Sequence, residues 1–244
     1  MDRLAEVITF PARRTVSTLA GGARGAYDSV AGFSRQEVDD WGRDPHFVAW
    51  MWELSRLRWN VAVNGHGGLP KRSGVLVVVN ARRFALAPVF AALAIGGAVG
   101  RPVRFVGRPD VAPLGPLMQR LGGLITRPDE VAGALRSGQL VVMGATPRLH
   151  PRRVGHVDHR LVGAAVAAGT KAFPAATASA PLLRSARVEI GREIRPDRGR
   201  RGPLAELELA DALESGIQSL IDQLGVPITG TPLDLLPSSG TGSG

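Results

Sequence analysis

Apolar and polar residues follow two different rhythms along this chain. Short apolar runs are typical of buried strands, and longer segments with apolar residues at every third or fourth position are typical of helices. The short runs predict strands at 60–64, 75–79, 103–107, 123–126, 139–143, 172–178 and 187–194. The longer segments predict helices at 87–99, 111–121, 129–137, 159–168 and 204–224. Alternating strands and helices predict an α/β fold with a mixed, mainly parallel sheet covered by helices.

An N-terminal amphipathic helix is predicted ahead of the first strand, over residues 44–59. Its apolar residues recur at helical spacing and form one stripe, which consists of Phe47, Trp50, Met51, Leu54 and Leu57. A stripe of this kind buries itself against a neighbouring apolar surface. We expect Phe47, Met51 and Leu54 to dock on the α/β core.

Composition divides the chain into four segments. Residues 1–33 mix glycines with arginines and predict a flexible N-terminal lead, and residues 34–59 hold the tryptophan-rich amphipathic helix. Residues 60–225 form the predicted α/β domain, and the Ser- and Gly-rich residues 226–244 predict a disordered tail. The uncharged run 84–100 contains a proline and several glycines, so we expect a helix buried in the domain and not a membrane span.

Cysteine content and charge narrow the function classes. The chain has no cysteine, which excludes disulfides and thiolate metal sites and makes a reducing compartment the expectation. Asp2 and Glu6 argue against a secretory signal. A net charge of +9 favours anionic partners such as nucleic acid, phospholipid headgroups or phosphorylated ligands, and an arginine-rich, merely solvated surface is the alternative. No nucleic-acid-binding motif is present and aromatic residues are only 5%, so nucleic acid is the less favoured partner.

The junction at 75–88 combines a buried strand, a polar turn and an apolar helix start. The strand VLVVV leads into Asn80, Ala81, Arg82 and Arg83, and the apolar segment follows. Such a junction delivers the chain to the carboxyl end of a strand, where α/β enzymes place their chemistry. This junction resembles the first motif of the phospholipid/glycerol acyltransferase family. In that family the turn reads Asn-His, and an Asp follows the His by five residues.

The resemblance continues in order along roughly two-thirds of the chain, from about residue 59 to residue 224. Residues 61–70 (VAVNGHGGLP) resemble the family's lead strand and its Gly-rich turn, and residues 113–123 resemble the segment before the second motif. Residues 140–148 (LVVMGATPR) align with the strand and the Phe-Pro-Glu-Gly-Thr-Arg motif. Residues 169–174 resemble the strand of the last proline motif and retain Pro174, and the late strand and closing helix match 186–194 and 204–224.

The resemblance implies acyl transfer from a thioester, carried by coenzyme A or an acyl-carrier protein, to a glycerol-type hydroxyl. In the family the His acts as the general base and the Asp orients it. The matching positions are Ala81 and Leu86, and Ala145 replaces the Glu of the later motif. General-base catalysis typically contributes ~10²–10⁴-fold, and an alanine methyl group accepts no proton. We therefore expect no catalytic residue at these positions and an impaired enzyme.

Arginines are retained where the family is thought to hold the phosphate of its acceptor. Arg127 and Arg148 match the arginines of the second and third motifs, and Arg82 and Arg83 adjoin the same sheet edge. Planar guanidinium groups suit phosphate oxygens. The resemblance thus implies a phosphate- or lipid-binding role for these four residues, and ordinary surface arginines are the alternative.

Histidines downstream of this region raise two further alternatives. His150 and His156 follow the Arg148 turn, so either is a candidate for a relocated general base. The run His156-Val157-Asp158-His159, with His150 as a third ligand, also has a spacing compatible with a metal site. We favour a helix cap at Asp158 flanked by solvated histidines, and we predict no metal.

These observations lead to one main hypothesis. The chain is expected to be an acyltransferase-like protein that binds a phosphorylated glycerolipid or acyl donor, without a cofactor, on the cytoplasmic face of a membrane. Trp41 and Trp52 are expected to contact the membrane, since tryptophan beside arginine on an amphipathic helix is typical of interfacial binding. The expected partners are a membrane phospholipid or lysophospholipid and an active acyltransferase. The alternatives are an active O-acyltransferase with a non-standard base and a basic protein that binds anions or nucleic acid.

Overall fold

The computed structural model describes residues 38–58, 60–81, 87–147, 153–179, 185–195 and 202–224. The helices are α1 (Pro45–Arg58), α2 (Ala87–Val99), α3 (Leu114–Arg120), α4 (Pro128–Arg136), α5 (His159–Ala168) and α6 (Pro203–Leu224). The strands are β1 (Asn60–Asn64), β2 (Val75–Val79), β3 (Val103–Val106), β4 (Gly123–Leu124), β5 (Leu140–Gly144), β6 (Lys171–Ser179) and β7 (Ser185–Ile190). The predicted lead at 1–33 and tail at 226–244 lie outside these ranges.

The predicted elements are confirmed in number and order within the described ranges. β1, β2, α2 and α5 have the predicted bounds. β4 is shorter than predicted, because the chain turns directly after it and the Arg127 N–H donates to the Ile125 carbonyl at 2.8 Å. α3 is also shorter and begins only after Pro113.

Within the described ranges, seven strands form one sheet with the order β1-β7-β6-β2-β5-β3-β4. β2 pairs in parallel with both β5 and β6, and β3 pairs in parallel with β5 and β4. β7 runs antiparallel to β6, and β1 runs parallel to β7. The predicted mixed, mainly parallel α/β sheet is therefore confirmed.

Helices cover both faces of the sheet, and β2 is buried from both sides. All five residues of β2 are 0% exposed. Leu76 and Val78 belong to a core cluster with residues of α4, α5 and α6. Because side chains alternate along a strand, Val75, Val77 and Val79 face the opposite layer, where α1 and α2 pack. A strand buried on both faces has no polar position, which explains the uninterrupted valine-rich run.

Helix α2 is a buried helix of the domain, as predicted for the uncharged run. Ala91, Ala94 and Ile95 are 0% exposed against the sheet. Within the part of the chain that the structure describes, no helix is long and apolar enough to cross a membrane.

Two ion pairs tie the segment before α1 to β3 and to α3. The Asp39 carboxylate pairs with Arg104, a residue of β3 that is 1% exposed. The Asp44 carboxylate accepts a hydrogen bond from the Phe47 N–H at 2.9 Å, which caps α1, and pairs with Arg120 at 2.6 Å. The described residues from Asp39 to Leu224 accordingly form one compact unit that includes α1.

Candidate functional site at the carboxyl edge of the sheet

The ends of β2, β5 and β6 meet at the centre of one sheet edge, here called the carboxyl edge. From β2 the chain passes through α2 to β3 on one side, whereas from β5 it passes through α5 to β6 on the other side of β2. These two crossovers start from neighbouring strands and run in opposite directions along the sheet. Such a change of direction leaves a crevice outside the carboxyl ends of the strands, where open α/β sheets bind ligands. The topology therefore places the candidate site beside residues 80–81, 145–147 and 177–179.

Ala81 lies against the end of β5. A Cβ atom built on Gly144 would lie 3.2 Å from the Ala81 Cβ and 2.8 Å from the Pro88 Cγ. Ala145, which is 2% exposed, donates its N–H to the Val79 carbonyl at 2.8 Å. The structure thus brings together Ala81 and Ala145, two positions matched to separate family motifs. Both carry methyl groups, which neither accept nor donate a proton.

Asn80, the residue before Ala81, is a structural link between strands. Its Oδ1 accepts hydrogen bonds from the N–H of Thr177 at 2.7 Å and from the Thr177 hydroxyl at 3.2 Å. Its Nδ2 donates to the Thr177 carbonyl at 3.1 Å. Both residues are buried. The amide is therefore committed to joining the ends of β2 and β6.

The predicted phosphate-binding arginines are only partly described. Arg127 is exposed and occupies the N-cap position of α4, directly after β4, so it lies at the carboxyl edge. β4 is three strands away from β2 in the sheet, which corresponds to roughly 14 Å at about 4.8 Å per strand. Arg82, Arg83 and Arg148 lie outside the described residues, as does Leu86.

His156 lies beside the end of β5, next to the candidate site. Its carbonyl accepts a hydrogen bond from the Thr146 N–H at 2.7 Å. Its ring Nδ1 is 3.5 Å from the Glu214 carboxylate of α6, and the imidazole is 58% exposed. The neighbouring Val154 N–H donates to Gln218 of the same helix at 3.1 Å. The imidazole of His156 and the carboxylate of Glu214 therefore lie close together beside β5, the strand next to β2, which Ala81 follows.

The Asp158 carboxylate caps helix α5. It accepts a hydrogen bond from the Arg160 N–H at 2.9 Å, so the predicted helix cap is confirmed. The described residues contain no group of three metal-ligating side chains placed to hold an ion. His150, the proposed third ligand, lies outside the described residues.

The tryptophans of the N-terminal region occupy different environments. The Trp41 ring packs against Gly133 of α4, where an added Cβ would lie 3.4 Å from it. The Trp52 ring packs against Gly97 of α2, where an added Cβ would lie 2.9 Å from it. Both are partly buried, whereas Trp50 is 52% exposed. Contact between a membrane and Trp41 or Trp52 stays a prediction.

The predicted docking of the α1 stripe is correct for one residue and wrong for another. Phe47 is buried, at 5% exposure, and Met51 is half-buried. Leu54 is 47% exposed and shares the solvent side of the helix with Trp50 and with Leu57, which is 70% exposed. The contact between Trp52 and α2 determines how the helix is rotated, so Leu54 turns away from the core.

Two features of the candidate site carry no signal in the sequence. Glu214 is 58 positions beyond His156 and reads as one of several acidic residues on an amphipathic helix. Thr177 reads as an ordinary strand residue, and Asn80 reads as a turn residue. In both pairs the partners meet only because helix and sheet pack together, and no local spacing signals the contact.

No protein-family model matches this chain, and no curated protein sequence matches it. A solved structure does match: the 1-acyl-sn-glycerophosphate (LPA) acyltransferase PlsC from Thermotoga maritima. The TM-score is 0.55 at 14% sequence identity, and the match covers 88% of this chain and 93% of that chain. The chain therefore shares its fold with an acyltransferase.

Proposed function

We propose that this chain is an acyltransferase-like protein that binds a phosphorylated glycerolipid or an acyl donor at a membrane surface and has lost efficient acyl transfer. The observation that supports loss of transfer is Ala81. It stands at the end of the central strand β2, against Gly144 and beside Ala145, in a fold shared with an acyltransferase. General-base catalysis requires a proton acceptor next to the hydroxyl of the acyl acceptor. A hydroxyl placed beside position 81 contacts a methyl group, which cannot accept a proton.

The proposed lipid binding draws on the charge and position of Arg127. Its side chain is exposed at the carboxyl edge, and α4 begins directly after it. A guanidinium and a helix N-terminus both favour phosphate oxygens. A ligand that contacts both Arg127 and the end of β2 has to extend along the edge, as the headgroup and glycerol backbone of a glycerolipid do.

The proposed membrane contact draws on the solvent side of α1. Trp50, Leu54 and Leu57 are exposed and spaced so that they share one helix face. β1 follows α1 and runs antiparallel to β2, so the C-terminal end of α1 approaches the carboxyl edge. An apolar helix face that ends near the candidate site would hold that site close to lipid.

The test of impaired transfer is an acyltransferase assay. The purified full-length protein would receive lysophosphatidic acid and radiolabelled acyl-CoA, and we expect turnover at background. The double variant Ala81→His with Leu86→Asp should then gain measurable turnover, whereas Ala81→His alone and the similarly sized Ala81→Gln should not. Turnover by the unmodified protein well above background would refute the proposal.

The His156–Glu214 pair favours one competing function, an active O-acyltransferase with a relocated base. A carboxylate 3.5 Å from an imidazole nitrogen can orient the ring and stabilise its cation. This alternative requires that His156→Ala abolish any turnover of the unmodified protein. The exposed His46, on α1, provides the matched control, and His46→Ala should leave turnover unchanged.

A further inference from the structure

An apolar cavity of about 170 Å³ lies between α1, α2 and β3 and is partly open to solvent. Its walls include Val48, Trp52, Leu93, Gly96 and Phe105. The Trp52 ring packs against Gly97, whereas a Cβ on Gly96 would have its nearest neighbour, Val103, at 3.5 Å, so the open space between the two helices adjoins Gly96. An apolar cavity of about 150 Å³ is large enough for benzene, so this one fits an alkyl tail of about six carbons.

Among the described residues that line this cavity, one side chain is charged. Arg43 precedes α1 and is half-buried. Its Nε is buried without a hydrogen-bond partner, and its guanidinium forms no ion pair with a described residue. Burial and the nearby charge of Arg104 lower the pKa of Arg43 from its usual value, although the Asp39 and Asp44 carboxylates act in the opposite direction. Among the described residues Arg43 thus has no ion pair of its own, and the carboxylates near it pair with Arg104 and Arg120.

The acidic residues nearest to Arg43 are already engaged elsewhere. The Asp39 carboxylate pairs with Arg104 and accepts the N–H groups of Trp41 and Arg43. The Asp44 carboxylate pairs with Arg120 and caps α1. The cavity and the guanidinium of Arg43 together therefore suit a ligand that has both a carboxylate and an apolar tail.

We infer that this cavity binds a short- to medium-chain aliphatic carboxylate, with the tail between α1 and α2 and the carboxylate on Arg43. The tail gains free energy by leaving water, and the carboxylate forms a charge-assisted hydrogen bond with the guanidinium.

This site is distinct from the candidate site at the carboxyl edge. Arg43 approaches Gly122, the residue before β4, and lies 3.3 Å from a Cβ built there. Gly122 precedes a strand that is parallel to β3, so Arg43 lies at the opposite, amino edge of the sheet. The carboxylate end of the ligand is therefore remote from Ala81, and neither proposal depends on the other.

An NMR titration of the ¹⁵N-labelled full-length protein tests the inference. The probes are sodium butanoate, hexanoate, octanoate and decanoate. We expect shifts of the Gly96 and Gly97 amide signals and none at Ala81. Affinity should rise about fourfold per added methylene until the tail has about six carbons. It should then level off, since the end of a longer tail extends beyond the cavity. A continued rise through decanoate, or shifts centred on Ala81, would overturn the inference.

Three variants separate the tail site from the headgroup site. Gly96→Ala has room for its methyl, whose Cβ would lie 3.5 Å from Val103, and should weaken hexanoate and hexanol alike by about fourfold. Arg43→Gln should weaken hexanoate at least tenfold and leave hexanol unchanged. The exposed Arg72 supplies the matched control, and Arg72→Gln should change neither. Equal hexanoate affinity of Arg43→Gln and the unmodified protein would contradict the carboxylate assignment.

Discussion

The side-chain amide of Asn80 binds Thr177 through three hydrogen bonds, to its N–H, its hydroxyl and its carbonyl. The pair joins two neighbouring strands at the edge where the candidate site lies. It also accounts for a polar residue that is 1% exposed at the end of an otherwise apolar strand. Buried polar groups of this kind are stabilising only while every partner is present.

Replacing Asn80 should therefore be costly. Asn80→Ala would leave the buried N–H and carbonyl of Thr177 without partners, so we expect a loss of about 2 to 3 kcal/mol in the free energy of unfolding. Urea denaturation monitored by circular dichroism measures it. Asn64→Ala is the matched control, because Asn64 makes an exposed amide contact with Glu189 and should change stability by less than about 0.5 kcal/mol. Equal effects of the two variants would show that the Asn80 link is dispensable.

Gly144 should tolerate no side chain while Ala81 and Pro88 keep their positions. A Cβ there would be only 2.8 Å from Pro88, so Gly144→Ala should destabilise the protein by about 1 to 3 kcal/mol. The thermal unfolding midpoint provides the measurement. Gly68→Ala is the control, since no atom lies within 4 Å of a Cβ at that position. An unchanged midpoint for Gly144→Ala would mean that Pro88 and Ala81 lie farther from the end of β5 than the structure indicates.

Asp44 should make the stability of the protein depend on acidic pH. Burial raises the pKa of its carboxyl, but the hydrogen bond from Arg120, the Phe47 N–H and the Arg120 charge outweigh burial and bring the pKa below its usual 3.8. A carboxyl whose pKa is lower in the folded state stabilises the protein above the unfolded-state value of about 3.9. That contribution is lost as the pH falls from there through the folded-state pKa.

Asp44→Asn tests this dependence because asparagine keeps the helix cap and removes the charge. We expect a loss of about 2 kcal/mol at pH 7, with the difference from the unmodified protein shrinking below pH 4. The pKa of Glu193 is also lowered, by Arg195 and Lys171, and this residue changes the stability with pH equally in both proteins. The difference in stability between the two proteins therefore reports on Asp44. A difference that stays constant from pH 7 to pH 3 would contradict the assignment. Asp110→Asn, at an exposed position, serves as the control.

The proposed membrane contact through the solvent side of α1 should depend on Trp50 and Leu57. Replacing both by alanine removes two exposed apolar side chains and should lower flotation with vesicles containing phosphatidic acid at least tenfold. The matched variant Trp41→Phe with Trp52→Phe keeps the packing against α4 and α2 and should float as the unmodified protein does. The reverse pattern would support the sequence-based prediction for Trp41 and Trp52. Flotation unaffected by either pair would exclude α1 as the contact.

The fold was largely predictable because its signals are local. The run at Val75–Val79 has no polar residue, so it predicts a strand buried on both faces, and β2 has those bounds. Gly169, with φ of 63°, ends α5 in the left-handed conformation that glycine favours. The exposure of Leu54 was not predictable, because periodicity groups residues on a helix face without stating which face docks. That choice depends on where Trp52 finds space beside Gly97.

The sequence by itself determined the alternation of strands and helices, the buried central strand and the methyl side chain at position 81, since composition and spacing along the chain suffice for each. Tertiary structure alone decided that Ala81 lies against Gly144, that His156 meets Glu214, and that Arg43 adjoins an apolar cavity. The physical reason is that these contacts join residues from separate elements. Their proximity follows from how helices and strands pack, and no short segment of the chain encodes it.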